Sequence, residues 1–193
     1  MDEAYTTILM DPPWMERGGG RIKRGADRHY PLVKTRDIPG VIRSSGVFRP
    51  AASCSLWMWA TANHLGDAMW LMGELGARYV TNVVWVKTGA PGLGQRFRMM
   101  HEHLLYGRFG NVPVPAPANR LPSVLFAPRT RHSAKPRESY ELIEKHDPPG
   151  RRLEMFSRAP RDGWDAWGND PQYGSSTDGV AGMSGSTVSP SLE

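Results

Sequence analysis

Two consecutive prolines that follow a strand-like run constrain this chain more than any other feature. The run Thr6-Thr7-Ile8-Leu9-Met10 leads directly into Asp11-Pro12-Pro13-Trp14. The two pyrrolidine rings fix the backbone and remove two N–H donors, so the strand ends in a rigid turn. The Asp11 carboxylate and a proline carbonyl are left to accept hydrogen bonds at one point, beside an aromatic ring. We therefore predict a ligand site just beyond the carboxyl end of a strand, where open α/β sheets bind their ligands.

Paired acceptors of this kind suit an exocyclic base amine, such as that of adenine or cytosine. The amine is a poor nucleophile because its lone pair is spread into the ring. A group that accepts both amine protons draws the nitrogen towards tetrahedral geometry and localises the pair, so that attack on a sulfonium methyl group becomes feasible. The tripeptide alone is weak evidence, because Asp-Pro-Pro recurs at Asp147, where Gly150 follows and a plain turn is indicated.

Composition limits the class of protein. The 193 residues suffice for one well-buried domain, and 24 Lys and Arg against 19 Asp and Glu give a net charge of +5, which suits a polyanionic partner. The single cysteine, Cys54, excludes an internal disulfide and a thiolate zinc site, which favours a reducing cytoplasm. No apolar stretch approaches the length of a membrane span, and the N-terminus does not resemble a signal peptide.

Hydrophobic patterns predict alternating strands and helices. Residues 55–60 and 79–86 are typical of buried strands, and the apolar spacing from Leu65 to Leu75 predicts a helix between them. This unit should hold its two strands parallel. A second helix is predicted from Lys135 to about His146, followed by a last strand over 152–156, whereas a strand at 104–106 is expected to stand isolated. Trp14 should be partly exposed, and four tryptophans are assigned to the core: Trp57, Trp59, Trp70 and Trp85.

Polar residues at other strand ends are candidates for binding. Glu154 suits ribose hydroxyls and a neighbouring Arg158 can anchor a carboxylate, although Glu154 alone is more often a surface partner of arginine. Lys87 ends another strand, where it could meet a carboxylate or a phosphate. In His101-Glu102-His103, strand alternation separates the acid from both imidazoles, so we predict no metal and expect Glu102 to be a buried hydrogen-bonding residue beside the active site.

A dense basic cluster comes directly after the proposed base site. Its members are Arg17, Arg21, Lys23, Arg24 and Arg28, within a predicted mobile basic loop over 15–28. One interpretation is a solvated loop. The other is a clamp on the phosphates that flank a flipped base.

In order along the chain, these segments resemble the MT-A70 family of adenine methyltransferases over residues 5 to 170. Specific signposts besides Asp11-Pro12-Pro13-Trp14 carry the resemblance: Tyr30-Pro31, residues 56–63, 84–88, 101–105, 132–136, 153–158 and 163–169. The resemblance implies an α/β, Rossmann-like class I methyltransferase with a mostly parallel sheet flanked by helices. Its motif order would be permuted, with the catalytic strand first and the cofactor strand last.

The resemblance also assigns roles, with S-adenosylmethionine as the methyl donor. Asp11 and the Pro12 carbonyl would grip the target amine, with Asp11 also close to the methionine ammonium, and Pro13 and Trp14 would wall the base. Lys87 would lie near the methionine carboxylate. The remaining cofactor contacts would come from Glu154, Arg158, Asn169 and Asp170. Only ten residues precede Asp11, where longer relatives carry a segment that helps to wall the cofactor's adenine, and Ala159-Pro160-Arg161 replaces the usual residues after Arg158.

We therefore expect an adenine N6-methyltransferase acting on nucleic acid. The small size favours DNA over RNA and a bacterial or phage setting. A catalytically silent nucleic-acid-binding partner subunit and cytosine N4 methylation are the alternatives, and a homodimer stays open. Residues 1–172 are expected to form the catalytic domain, and the Gly- and Ser-rich segment 173–193 a disordered tail.

Overall fold

A computed structural model describes residues 4–15, 33–91, 96–129 and 134–168 of the chain. The described residues form seven strands and three α-helices. In chain order these are β1 (Tyr5–Met10), α1 (Ile38–Ser44), β2 (Pro50–Ala60), α2 (Leu65–Glu74), β3 (Arg78–Thr88), β4 (His101–Phe109), β5 (Val124–Pro128), α3 (Arg137–His146), β6 (Arg152–Met155) and β7 (Asp165–Trp167). Short 3-10 turns at Thr35–Asp37 and Ala62–His64 lead into α1 and α2.

All seven strands belong to one mixed sheet in the order β5-β3-β4-β2-β1-β6-β7. Strand β4 runs antiparallel to both of its neighbours, β2 and β3, and every other pair in the sheet is parallel. The carboxyl ends of β1, β2, β3 and β6 therefore meet at one edge, together with the beginning of β4. The predicted parallel relation of β2 and β3 is confirmed, with β4 inserted between them.

Helices cover both faces of the sheet. Ile38 and Ile42 of α1 and Leu71 of α2 pack with Ile8 and Met10 of β1 on one face. On the other face, Tyr140 and Ile143 of α3 pack with Leu9, Trp57 and Trp59. Side chains of β1 alternate between the two faces, because successive residues of a strand point in opposite directions. The predicted mostly parallel sheet flanked by helices is confirmed, and it is consistent with a Rossmann-like fold.

The strand predicted at 104–106 is confirmed, but the expectation that it stands isolated is wrong. Strand β4 spans His101–Phe109 and is hydrogen-bonded on both sides. Helix α2 can pack closely against β4 because Gly107 carries no side chain: a Cβ there would lie 2.4 Å from Met72 Sδ. The sequence interpretation also missed α1, β5 and β7, which are short or lie among prolines and glycines.

Burial corrects one of the tryptophan assignments. Trp57, Trp59 and Trp85 are buried as predicted, but Trp70 is 43% exposed on the outer side of α2. None of the helices in the described part of the chain is long and apolar enough to cross a membrane.

Candidate active site

Four charged residues gather where the carboxyl ends of the strands meet, on the face of the sheet that α3 covers. Asp11 directly follows β1, and Lys87 is the second-to-last residue of β3. Glu102 opens the antiparallel β4 opposite Trp85, and Lys135 precedes α3. Strands from distant parts of the sequence thus bring these side chains to one place.

The four side chains form a continuous chain of ion pairs. Lys135 Nζ lies 3.1 Å from Asp11 Oδ1 and 2.9 Å from Glu102 Oε2, and Lys87 Nζ pairs with the other Glu102 oxygen. Arg158 Nη2 lies 3.7 Å from the other oxygen of the Asp11 carboxylate, Oδ2. The side chains of Lys87, Lys135 and Glu102 are only 12–13% exposed. Glu102 is the largely buried hydrogen-bonding residue that the sequence predicted beside Asp11.

Burial and neighbouring charge shift the pKa values of the residues in this set of ion pairs. Loss of solvent raises the pKa of the Asp11 carboxyl, and Lys135 and Arg158 only partly offset that effect. For Glu102 burial acts in the same direction, but the ammonium groups of Lys135 and Lys87 outweigh it and lower the pKa. Burial would lower the pKa of Lys135, yet Asp11 and Glu102 together raise it, so the ammonium stays charged.

Lys135 is the residue that the sequence interpretation missed. It was predicted as the start of a helix, with no role in the site. The signal that could have identified it is its place at the junction of a polar segment and the N-terminus of a helix that follows an edge strand. Its Nζ also lies 5.2 Å from the centroid of the buried Trp59 ring, a cation–π arrangement.

The turn after β1 uses part of its own hydrogen-bonding capacity. The Pro12 carbonyl accepts a hydrogen bond from the Trp14 N–H at 2.8 Å, and the Pro13 carbonyl accepts one from the Val33 N–H at 3.3 Å. A carbonyl oxygen has two lone pairs, so Pro12 retains one acceptor direction. The Asp11 carboxylate and the Pro12 carbonyl, which the sequence predicts as acceptors, therefore each already have a protein partner and retain further lone pairs.

Trp14 is buried, and the prediction of a partly exposed ring is wrong. It is 7% exposed, and its indole N–H donates to the Trp59 carbonyl at 3.1 Å. Its ring stacks on the imidazole of His64, with centroids 5.5 Å apart and planes 11° from parallel. Asp67 fixes that imidazole through a 2.9 Å contact with Nδ1. These contacts turn the ring inward, so Trp14 supports the turn in this structure.

Glu154 lies next to β1 in the neighbouring strand β6. It is paired in register with Leu9, two residues before Asp11. The Tyr140 hydroxyl donates to Glu154 Oε1 at 2.8 Å, and the Arg161 guanidinium lies 3.5 Å from the Tyr140 ring centroid. Burial raises the pKa of the Glu154 carboxyl, although the Tyr140 hydrogen bond and Arg161 oppose the change. Glu154 is therefore held by Tyr140 of α3, with the Arg161 charge nearby.

The two histidines of β4 lie side by side, as strand alternation predicts. The His101 and His103 rings are 5.1 Å apart and nearly perpendicular. Burial, followed by the charge of His101, lowers the pKa of His103. Within the described ranges, no group of three or more His, Cys, Asp or Glu side chains is arranged to hold a metal ion.

The second Asp-Pro-Pro copy lies between α3 and β6, as predicted, but Asp147 is more than a turn residue. Its carboxylate is buried and accepts hydrogen bonds from three side chains at 2.9 Å: Thr7 of β1, and Ser55 and Trp57 of β2. The Nδ1 atom of His146 lies 2.8 Å from the same carboxylate. Asp147 thus ties the end of α3 to β1, the strand that leads into Asp11, and to its neighbour β2.

Several predicted residues lie outside the described part of the chain. They are Arg17, Arg21, Lys23, Arg24 and Arg28 of the basic cluster, and Asn169 and Asp170 of the cofactor end. Most of the predicted loop 15–28 and the tail 173–193 lie outside it as well. The roles assigned to these residues stay predictions.

Comparison with known proteins identifies one matching family and several similar sequences. The model of the MT-A70 family matches residues 5–170. The chain is 28% identical over 187 residues to the type II methyltransferase M.MunI of Mycoplasma sp, which covers 85% of this chain and 76% of that protein. It is 27% identical over 188 residues to the human N(6)-adenine-specific methyltransferase METTL4, covering 87% of this chain and 38% of that protein. The N6-methyladenosine RNA methyltransferase MTA1 of Cryphonectria parasitica is 26% identical over 175 residues, which cover 86% of this chain and 51% of MTA1.

Proposed function

This chain belongs to the MT-A70 family, and from that membership we propose that it methylates the exocyclic N6 amine of adenine in nucleic acid, with S-adenosylmethionine as the methyl donor. The observation that carries the proposal is the position of Asp11. Its carboxylate ends β1 at the carboxyl edge of the sheet, with the Pro12 carbonyl beside it and the Lys135–Glu102–Lys87 chain behind it.

The chain's own residues supply the acceptors that this reaction needs. Asp11 and the remaining lone pair of the Pro12 carbonyl accept hydrogen bonds from the target amine and localise its lone pair. When the nitrogen gains a methyl group it must lose a proton, and the raised pKa of Asp11 suits the carboxylate to hold that proton. Positioning and electrostatics dominate catalysis in this account, and no covalent intermediate on the protein is required.

The charges and unpaired polar atoms of the site fit S-adenosylmethionine. Three cations and two carboxylates meet around Asp11, which leaves a net positive charge that suits the carboxylate of a methionine. Within the described residues, the buried indole N–H of Trp59 has no acceptor, which leaves one donor for a ligand. When bound, the cofactor supplies an electrophilic methyl group on a sulfonium.

We assign the cofactor contacts by chemistry. Lys87, Lys135 and Arg158 would hold the methionine carboxylate, and Asp11 the methionine ammonium. Glu154 would accept hydrogen bonds from the ribose hydroxyls, with Tyr140 holding it in place. Asn169 and Asp170 complete the predicted set. Lys135 is the addition that geometry makes to the residues expected from the sequence.

The finer parts of the proposal concern the polymer and the architecture. We take DNA as the preferred polymer ahead of RNA, with the basic cluster at 17–28 on the flanking phosphates and Pro13 next to the base. Residues 1–172 would form the catalytic unit in the permuted order, with β1 as the catalytic strand and β6 as the cofactor strand. A cytoplasmic protein, as monomer or homodimer, is expected.

The test is methyl transfer from labelled S-adenosylmethionine to matched DNA and RNA oligonucleotides, followed by digestion to nucleosides and mass analysis. The proposal predicts N6-methylated adenine, and the attached sugar identifies the polymer. A methylated cytosine in the digest would show that cytosine, and not adenine, is the target base. A protein that binds the oligonucleotides but transfers no label would instead be a silent partner subunit.

A further inference from the structure

A groove on the surface lies next to the turn that carries the proposed base site. It has a volume of about 460 Å³, and six described residues line it: Met15, Lys34, Thr35, Arg36, Asp67 and Trp70. Met15 is the residue immediately after Trp14, and Asp67 is the carboxylate that holds the His64 ring against Trp14. The groove and the base site therefore share one structural support.

The groove combines an exposed aromatic ring with exposed cations. Trp70 is 43% exposed on α2, and Met15, at 36%, adds further apolar surface. Lys34 and Arg36 also line the groove and are exposed, just before α1. Arg36 contacts Asp37 at 3.7 Å, but the two side chains are 75% and 56% exposed, so this pair is weak and open to exchange.

Among the described residues that line the groove, Asp67 is the one carboxylate, and it is already engaged. Asp67 lies 2.9 Å from His64 Nδ1, and the His64 ring is buried under Trp14. A partner in the groove therefore meets two available cations and an aromatic face. An indole next to cations is the arrangement that binds single-stranded nucleic acid, because the ring stacks on a base while the cations meet the phosphates.

Distance favours a nucleotide close to the target base. Met15 follows Asp11 by four positions, and a fully extended chain over four positions spans at most about 14 Å. A strand whose adenine is held at Asp11 can therefore place a neighbouring nucleotide in the groove. The volume is within the usual range for a site that holds a small molecule, which is roughly 300–1,000 Å³.

We infer that this groove binds a nucleotide that flanks the target adenine in single-stranded nucleic acid, with its base stacked on Trp70 and its phosphates at Lys34 and Arg36. The inference rests on the proposed function for the identity of the target base. It does not rest on the basic cluster at 17–28. Trp70 is a specificity-determining residue for the unpaired strand, because stacking accepts any base but requires that the base be unstacked from a partner.

Binding of fluorescein-labelled single-stranded DNA and RNA oligonucleotides of the same sequence tests the inference without turnover. Trp70→Ala should weaken binding about tenfold, since stacking on one aromatic side chain contributes on the order of a factor of 5 to 150. Phe126→Ala is the matched control, because Phe126 is 67% exposed on the edge strand β5, at the far side of the sheet. Equal loss in the two variants would overturn the inference.

An abasic nucleotide next to the target adenine makes the test specific for stacking. The wild-type protein should lose affinity for one such oligonucleotide, and Trp70→Ala should bind it no worse than the wild type does. If Trp70→Ala binds every abasic oligonucleotide more weakly than the wild type does, and by the same factor, Trp70 does not stack on a flanking base and the inference fails. A change in oligomeric state on Trp70→Ala, measured by sedimentation, would assign the exposed ring to a protein interface instead.

Salt dependence tests the cations separately. Each phosphate contact with a single strand contributes about 0.7 to the slope of log K against log salt, so Lys34→Gln with Arg36→Gln should reduce the slope by about 1.4. Arg137→Gln, on a side chain that is 81% exposed on α3, should leave it unchanged. An unchanged slope in the double variant would show that Lys34 and Arg36 do not contact phosphates, which contradicts that part of the inference.

Failure of this inference and failure of the proposed function give different results. If the wild-type protein methylates adenine and Trp70→Ala binds and methylates normally, only the proposed binding of nucleic acid in the groove is wrong. If binding depends on Trp70 but no polymer is methylated, binding in the groove is supported and the proposed methyltransferase activity is wrong.

Discussion

Replacing Glu102 by Gln should destabilise the protein strongly, because Glu102 neutralises two largely buried ammonium groups. It contacts Lys87 and Lys135, and all three side chains are only 12–13% exposed. Removing one partner of a buried ion pair costs about 3–5 kcal/mol, because an uncompensated charge stays in a poorly solvated place. For a chain of this size the melting temperature changes by about 2–4 °C per kcal/mol, so a decrease of roughly 6–20 °C is expected.

The effect of the Glu102→Gln substitution should also depend on pH in one direction. The pKa of Glu102 is lowered in the folded protein, so its contribution to stability is present above the unfolded pKa of about 4.3 and is lost as the pH falls through the folded value. The difference in unfolding free energy between wild type and Glu102→Gln should therefore be full at neutral pH and shrink in acid below about pH 4.

Urea unfolding followed by tryptophan fluorescence measures this difference. Glu141→Gln is the matched control, because Glu141 pairs with Arg137 at 3.0 Å on an exposed helix face, where a pair contributes only about 0.2–1 kcal/mol. The reasoning is refuted if Glu102→Gln costs no more than Glu141→Gln, or if the difference grows on acidification.

Three further substitutions test the packing around the site. Asp147→Ala leaves the buried donors of Thr7, Ser55 and Trp57 without an acceptor, at about 1 kcal/mol or more each, so urea unfolding should show a loss of at least about 3 kcal/mol; a loss near zero would contradict the buried network. Gly110→Ala should cost more than Gly46→Ala in the same assay, because both have positive φ but only at Gly110 would a Cβ lie 1.9 Å from a backbone oxygen, that of Ala52; the opposite order would argue against this close approach. Trp14→Phe keeps a ring against His64 but loses the hydrogen bond to the Trp59 carbonyl, so a loss of about 1 kcal/mol is expected, and an increase in stability would contradict that bond.

The sequence predicted those parts of the fold that local patterns determine. Residues 55–60, 65–75 and 79–86 have the periodicity and length of their elements, and the structure places β2, α2 and β3 over them. Strand β4 was misjudged because its length is set by pairing on both sides, which no local pattern encodes. Strands β5 and β7 are edge elements of five and three residues, too short for a periodic signal.

The sequence predicted the parts of the site that a local motif determines, but it did not predict the parts that depend on contacts between residues distant in sequence. The prolines after Met10 place Asp11 at a strand end, and the structure agrees. The burial of Trp14 depends on His64 and the Trp59 carbonyl, which are distant in sequence. The ion pair between Asp11 and Lys135 spans most of the chain, so it emerges only once β1 and α3 share one face of the sheet.

Methyl transfer by Asp11→Ala, measured beside its affinity for S-adenosylmethionine, tests the central claim most directly. The proposed function predicts that the wild-type protein forms N6-methylated adenine, whereas Asp11→Ala forms none and still binds the cofactor measurably through the lysines, Arg158 and Glu154. Turnover by Asp11→Ala equal to that of the wild type would contradict the role of the Asp11 carboxylate as the acceptor that activates the amine.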